Sequence, residues 1–403
     1  MLSPPTVLSA ITATLAFVGC GYYLFVLWSA RSFVRAALKP LPDFHPAVSI
    51  LKPVKGLDPE MYASFASHCR QEYEGDYEIV FAAGSPDDPA IEAIERLQRE
   101  FPERSIRLVL CPEALGSNGK VSSLAQALPH ARYDHILIND SDILVSPHYL
   151  RRVLAGFASP AKPGGRVGMV TALYRGRAHG TAGAPTIGSK MEALGIATDF
   201  VPSVLAARVI EGGIHFGLGS TLAVSREALD ASGGLRPLAD YLADDYQLGA
   251  RIFASGFEVV LSREVVETSV PAYGFHEFLS HQMRWARTVR DARPFGYLGL
   301  LFSYGLAWAL LNMLASGATL ESLALLSLTA AARVAVALLV GAEVLGDRQV
   351  LRDLWLLPAR DLVALGVWAW SYAGTTVEWR GETFGIEDGK LSISRDQRHR
   401  PPK

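Results

Sequence analysis

The sequence predicts an α/β domain with a mostly parallel sheet, carried between two apolar ends. Three observations predict it. The 403 residues are 50% hydrophobic and only 19% charged, against about 25% charged in an ordinary soluble domain. The apolar surplus is concentrated at the two ends. Between about residues 46 and 293, short β-branched runs alternate with amphipathic stretches, the pattern of βαβ units. The mean hydropathy of +0.20 is therefore an average over unlike parts.

Residues 7–28 carry no charge. At about 1.5 Å per residue they can cross a hydrocarbon core of about 30 Å. They lack a basic leading region, and basic residues follow at once, so they read as an anchor and not a cleaved signal. Arg31, Arg35 and Lys39 then place the N-terminus outside and the following chain in the cytoplasm. Strands are expected at 48–51, 78–82, 106–110 and 135–138. Helices are expected at 90–101, with Ile91, Ile94, Leu97 and Phe101 on one face, and at 121–128.

The second apolar end begins at Pro294. Residues 294–320 are uncharged and read as a span. Residues 323–340 read as another, with Arg333 turned toward the protein interior or a polar cavity. Residues 354–373 are interrupted by Pro358-Ala359-Arg360-Asp361. They read as a re-entrant or interfacial hairpin with Arg360 and Asp361 paired. The chain thus divides into an anchor (1–30), a cytoplasmic α/β domain (31–293), membrane helices (294–377) and a polar tail (378–403). The expected setting is an inner membrane crossed several times, with the α/β domain on the cytoplasmic face.

Acids and bases nearly balance, 40 against 38. That excludes a polybasic nucleic-acid binder and an acidic disordered tail. Cys20, Cys69 and Cys111 show no C-x-x-C spacing and read as reduced thiols. Of the 38 basic residues 30 are Arg, a composition typical of GC-rich bacterial genomes.

Ligands of parallel sheets bind at the carboxyl ends of the strands. No dinucleotide fingerprint or Walker A loop is present. The 135–138 strand runs into Asp140-Ser141-Asp142. With 19 Asp in the chain, composition alone scatters about one such pattern, so its weight comes from its place after a buried strand. Two such carboxylates can share Mg²⁺ or Mn²⁺. Asp244 and Asp245 open a helix. They either complement its dipole or supply a general base, with Asp245 as the base and Asp244 as helper or cap. His281-Gln282-Met283-Arg284-Trp285 reads either as an interfacial belt or as an Arg that clamps a diphosphate beside a Trp that shapes the acceptor site.

Further motifs fall in order with these: Val48-Ser49-Ile50-Leu51-Lys52-Pro53-Val54-Lys55-Gly56-Leu57-Asp58-Pro59, then Asp87-Asp88-Pro89-Ala90, then Gly116-Ser117-Asn118-Gly119-Lys120. Over residues 7–385 the chain resembles the inverting GT-A-fold glycosyltransferases. It is most similar to the ceramide glucosyltransferase family and, within it, to the bacterial hopanoid-biosynthesis-associated glycosyltransferases. One departure is His281, which stands where Gln or Arg is usual, with Gln282 one place late.

The resemblance implies a UDP-sugar donor. Asp87 or Asp88 would hold the uracil or ribose, with Asp88 preferred. Asp140 and Asp142 would place Mg²⁺ or Mn²⁺ on the diphosphate, and Lys120 and Arg284 would share its charge. His281 and Trp285 would line the substrate site. Asp245 would deprotonate a lipid hydroxyl, and a single displacement would invert the anomeric centre. Residues 191–210 and the segments after Pro294 would shape the lipid's access. The expected acceptor is a polyol hopanoid receiving N-acetylglucosamine. Ceramide receiving glucose is the alternative, followed by a processive polysaccharide synthase and a non-catalytic scaffold.

Overall fold

The computed structural model describes residues 4–181, 184–379 and 382–393. Their contacts define two compact units. One falls within Met1–Lys39, Gly180–Ile210 and Ala272–Gly381, the other within Pro40–His179, Glu211–Pro271 and Glu382–Lys403. These cuts differ from the four sequence segments. Residues 180–210 group with the apolar ends, and 382–393 group with the α/β unit.

The α/β unit is built on eight strands: β1 (Val48–Val54), β2 (Tyr77–Ala83), β3 (Ser105–Leu110), β4 (His135–Ile138), β5 (Ile143–Leu144), β6 (Val167–Ala178), β7 (Leu222–Ser225) and β8 (Glu258–Val270). Their order is β3-β2-β1-β4-β7-β6-β8-β5. The first four neighbours are parallel, as are β6 and β8, whereas β7 and β5 run antiparallel. Every residue of β1 is buried, as expected for a parallel strand covered on both faces. The four expected strands and the two expected helices (Ala90–Glu100 and Gly119–Ala127) appear within a few residues of their predicted limits. In β1 and β4, Leu51 lies opposite Ile138. Lys52 and Asn139 therefore leave the paired register side by side.

Residues 382–393, expected as polar tail, form a hairpin of Glu382–Glu387 and Lys390–Ile393. Phe384, Ile386 and Leu391 are buried, which gives the hairpin a core-facing side. Residues 378–379 end a strand, Thr376–Trp379, and 380–381 and 394–403 lie outside the described residues.

Among the described residues the second unit holds three helices long and apolar enough to cross a membrane: Val7–Ala37, Ile187–Ile210 and Leu320–Val344. The first and third were expected. The second was read only as an amphipathic stretch, because Glu192 and Asp199 interrupt its apolar face. The expected span at 294–320 is a pair, Pro294–Ser303 and Gly305–Ala315, bent by 52°. The hairpin expected at 354–373 is instead a helix, Leu357–Ser371. Pro358 sits in its first turn, where its missing N–H costs nothing. Fifteen residues rise only about 22 Å.

Arg360 and Asp361 do not pair with each other, since adjacent residues on a helix point in different directions. Asp361 instead receives Nε and Nη2 of Arg333 at 2.8 and 2.6 Å. Arg333 is buried, as expected.

Gly19 and Gly305 let the first helix meet Gly305–Ala315 at backbone contact. A β-carbon on Gly19 would collide with Gly305 Cα, whereas one on Gly21 would meet nothing within 4 Å. We expect Gly19→Leu to cost about 1–3 kcal/mol by overpacking and Gly21→Leu to be near neutral. Thermal unfolding in detergent checks both.

Candidate active site

The α/β unit gathers its acids at the carboxyl ends of β4 and its neighbours. Asn118 caps the Gly119–Ala127 helix by accepting from Val121 N at 3.2 Å. Its amide donates to Tyr241 O at 2.8 Å and to Asp244 Oδ1 at 3.3 Å. Gly116 is required beneath this contact, because a β-carbon there would collide with Ala239 O. The loop so fixed sends Lys120 Nζ to Asp140 Oδ1 at 2.7 Å and to Asp244 Oδ2 at 3.5 Å. The 382–393 hairpin props the facing loop: Leu391 N donates to Asp240 O at 2.7 Å, and Leu242 N to Gly389 O at 3.3 Å.

Asp244 and Asp245 open the Asp244–Ala254 helix. Asp245 Oδ1 accepts from Tyr246 N at 2.8 Å. Its Oδ2 and that of Asp140 both face Gly219, where a β-carbon would lie 3.0 and 3.8 Å from them. That glycine keeps the space between the two carboxylates open. Asp142 Oδ2 accepts from Thr268 Oγ1. Asp58, in the loop after β1, accepts from Ser141 Oγ.

The electrostatics follow from crowding. Withdrawal from water, then Asp140, push the Asp142 carboxyl up to about 6. Withdrawal from water, then Asp244, push Asp245 up to about 6. Asp244 is raised by the same loss of water, against the pull of Lys120. Burial alone would lower Lys120, but Asp140 and Asp244 outweigh it and hold it above the ordinary lysine value.

Sequence reasoning read Lys52 only as part of a motif. It is fully buried. Its Nζ donates to Asn139 Oδ1 at 2.7 Å and to Asp140 O at 3.0 Å. Burial lowers its ammonium to about 7, against the pull of Asp142 and Asp140. Asn139 Nδ2 donates in turn to His68 Nε2 at 2.8 Å, and His68 Nδ1 donates to Ser64 O at 2.8 Å. This relay fixes the peptide from which both Asp140 and Asp142 project. Only the three-dimensional pairing of β1 with β4 reveals it.

Of the two acids after β2, Asp88 is already engaged. Its Oδ1 and Oδ2 accept from Gly56 N, each at 3.1 Å, and Oδ1 also accepts from Ala90 N at 3.0 Å. Asp88 therefore builds the loop, and Asp87, which is exposed, is the carboxylate turned to solvent. The sequence reading preferred Asp88, and Asp87 is the more exposed of the two.

His281, Arg284 and Trp285 lie in the other unit, on the Phe275–Ala292 helix. Glu192 Oε1 takes His281 Nδ1 at 3.1 Å and its Oε2 takes Gln282 Nε2 at 2.8 Å. Trp285 packs edge-on against Phe200 and tilted against His281.

A divalent cation fits the acid cluster. Asp140, Asp142, Asp244 and Asp245, when ionised, exceed Lys52 and Lys120 by two charges. Among the described residues no three His, Cys, Asp or Glu side chains enclose an ion by themselves. That suits Mg²⁺ or Mn²⁺ held by one or two carboxylates plus substrate oxygens.

Comparison with known proteins follows the same line. The sequence pattern of glycosyl transferase family 21 matches residues 11–392. Ceramide glucosyltransferase 3 of Caenorhabditis elegans is 27% identical over 284 residues, covering 67% of this chain and 57% of its own length. Ceramide glucosyltransferase 1 of the same nematode is 24% identical over 272 residues, covering 67% and 56%. The chain thus spans a little over half the length of these relatives. The mannosyltransferase PcManGT from Pyrobaculum calidifontis, solved in complex with GDP-Man and Mn²⁺, matches with a TM-score of 0.56. The match covers 90% of this chain and 99% of that one at 22% identity. It shows a shared fold, the GT-A type of mixed, mostly parallel sheet.

The relay under Asp140 is testable. Lys52→Met leaves Asn139 Oδ1 and Asp140 O without their charged donor. We expect UDP binding in the presence of Mn²⁺ to weaken about tenfold, with the exposed Lys162→Met unchanged. Isothermal titration checks it.

Proposed function

The chain belongs to glycosyl transferase family 21, and from that premise we propose that it transfers a sugar from a UDP-sugar to the hydroxyl of a membrane lipid with inversion. The observation that carries the reading is Asp245. It is a carboxylate withdrawn from water at the sheet's ligand-binding edge, turned with Asp140 toward the space above Gly219. A carboxyl pushed up to about 6 is a stronger base than an ordinary one yet is ionised at neutral pH.

In this reading the nucleoside lies over Asp87. Asp140 and Asp142 would hold Mg²⁺ or Mn²⁺, which offsets charge on the leaving diphosphate. Lys120 adds a fixed cation beside it. Asp245 takes the proton of the lipid hydroxyl as its oxygen bonds to the anomeric carbon. The bond from that carbon to UDP breaks on the opposite face, so the configuration inverts. Asp244, held by Lys120 and Asn118, keeps the start of the helix in place.

Ceramide-type acceptors and glucose are favoured by the names of the relatives. No comparison favours the hopanoid polyol with N-acetylglucosamine. The apolar Val7–Ala37 and Leu320–Val344 helices and the basic residues Arg31, Arg35 and Lys39 support an inner-membrane setting with the α/β unit in the cytoplasm; the 187–210 helix, whose two ends lead into the same unit, is not counted as a crossing.

Two outcomes are expected. Asp245→Asn lowers transfer about 10³-fold, within the ordinary range for general-base loss, while UDP still binds; radiolabelled sugar transfer to short-chain ceramide reads this. Full turnover by the variant would remove Asp245 as base. In the wild type, kcat/KM falls tenfold per pH unit below about 6, as the base is protonated.

The stability sign is opposite. The folded value lies above the ordinary one, so ionising Asp245 opposes folding. That cost is absent below about pH 4 and complete above about pH 6. Without divalent ions, Asp245→Asn should raise Tm at pH 8 and leave it unchanged at pH 4.

A further inference from the structure

The apolar unit contains a buried polar centre that the acid cluster does not use. Arg333 donates to Asp361, to Thr198 O and to Asp199. Arg360, 4% exposed, donates from Nε to Met191 O at 3.1 Å and from Nη2 to Gln282 Oε1 at 2.9 Å. Nη2 also lies 3.2 Å from Asp199 Oδ2, without hydrogen-bond alignment. Arg360 Nη1 and Asp199 Oδ2 therefore remain buried with no hydrogen-bond partner among the described residues. Leaving such groups unmet costs about as much as losing a hydrogen bond outright.

Two breaks in helix geometry converge here. Residues Ile196–Phe200 form a π turn, which frees Thr198 O for Arg333. The 52° bend falls at Tyr304, whose hydroxyl lies in the field of Asp199 and Arg360. Gly195 clears the way, since a β-carbon there would collide with the Arg360 guanidinium. In apolar helices, π turns and interrupted segments mark binding sites, and ionisable residues mark function.

We propose that this centre binds the polar head of a neutral lipid, donating from Arg360 Nη1 and accepting at Asp199 Oδ2. An adjacent unmet donor and acceptor match a hydroxyl or amide, which offers both in return. The two carboxylates, Asp199 and Asp361, balance the two guanidiniums, Arg333 and Arg360. Glu192, which Gln282 links to Arg360, adds a further carboxylate, partnered by His281, so no excess of positive charge is left to attract an anionic headgroup. The assignment of this head to the sugar acceptor rests on the proposed transferase reading.

The test uses the full chain in detergent, with a photoactivatable short-chain ceramide as probe. Wild type should photolabel, and phosphatidylglycerol should not compete. Arg360→Lys keeps the charge but loses the fork. Tyr304→Phe removes one hydroxyl and serves as the milder variant. Both should reduce labelling and raise the KM for ceramide, Arg360→Lys about tenfold; Tyr304→Phe, which breaks none of the Arg360 bonds to Met191 or Gln282, should leave Tm and the KM for UDP-sugar unchanged. Unchanged labelling in both variants, parallel loss of Tm and UDP-sugar affinity in both, or absent wild-type labelling would each overturn the site. Wild-type labelling without sugar transfer would instead overturn the transferase reading and leave the site standing.

Discussion

The α/β unit holds more negative charge at the edge of its sheet than its own cations neutralise. Withdrawing one carboxylate from water costs several kcal/mol, and one hydrogen bond to a charged group returns about 1.5–3 kcal/mol. Lys120 and the buried Lys52 therefore reduce the repulsion among Asp140, Asp142, Asp244 and Asp245 without removing it. Burial first, and then the residue of that repulsion, push Asp142 and Asp245 up to about 6. Much of the surrounding structure serves to hold the acids in place despite it. Asn118 clamps the loop to Asp244, Gly219 leaves the gap, and the 382–393 hairpin buttresses residues 240–242. An unresolved local conflict inside an otherwise consistent fold is where function is expected.

The apolar unit solves the opposite problem. Its charges lie where water is scarce, so each must meet a partner. Arg333 meets Asp361 and Asp199, and Glu192 meets His281 and Gln282. What stays open there is hydrogen-bond capacity, not charge. On the proposed reading, one unit would receive a cation and the anion that accompanies it, and the other a neutral polar group. A transferase whose two substrates differ in this way, an anionic nucleotide and a neutral lipid alcohol, would need both kinds of site.

The parts legible in the sequence are those set by short periodic patterns. Parallel strands covered on both faces leave continuous apolar runs, so β1 to β4 were readable, and the acids after β4 followed from them. The illegible parts depend on segments far apart in the chain. Lys52, Asn139 and His68 come from three such segments, and no local pattern marks a buried lysine as a support for Asp140. Nor does a local pattern show that Gly56 N and Ala90 N bond the carboxylate of Asp88. The 187–210 helix was missed because Glu192 and Asp199 disrupt its apolar run. Those two residues are the ones that bind the apolar unit's own cations and amides.

The unusual His281 also gains a physical reason. His281 and Gln282 both reach Glu192, one to each carboxylate oxygen. The shift of Gln by one place therefore loses no anchor, because the second oxygen accepts it. Gln282 then passes its own carbonyl to Arg360. In this way the helix that presents Arg284 and Trp285 is keyed, through Gln282, to the same guanidinium whose Nη1 stands open. A change at the polar centre would therefore be felt along the 275–292 helix, through one side chain and two hydrogen bonds.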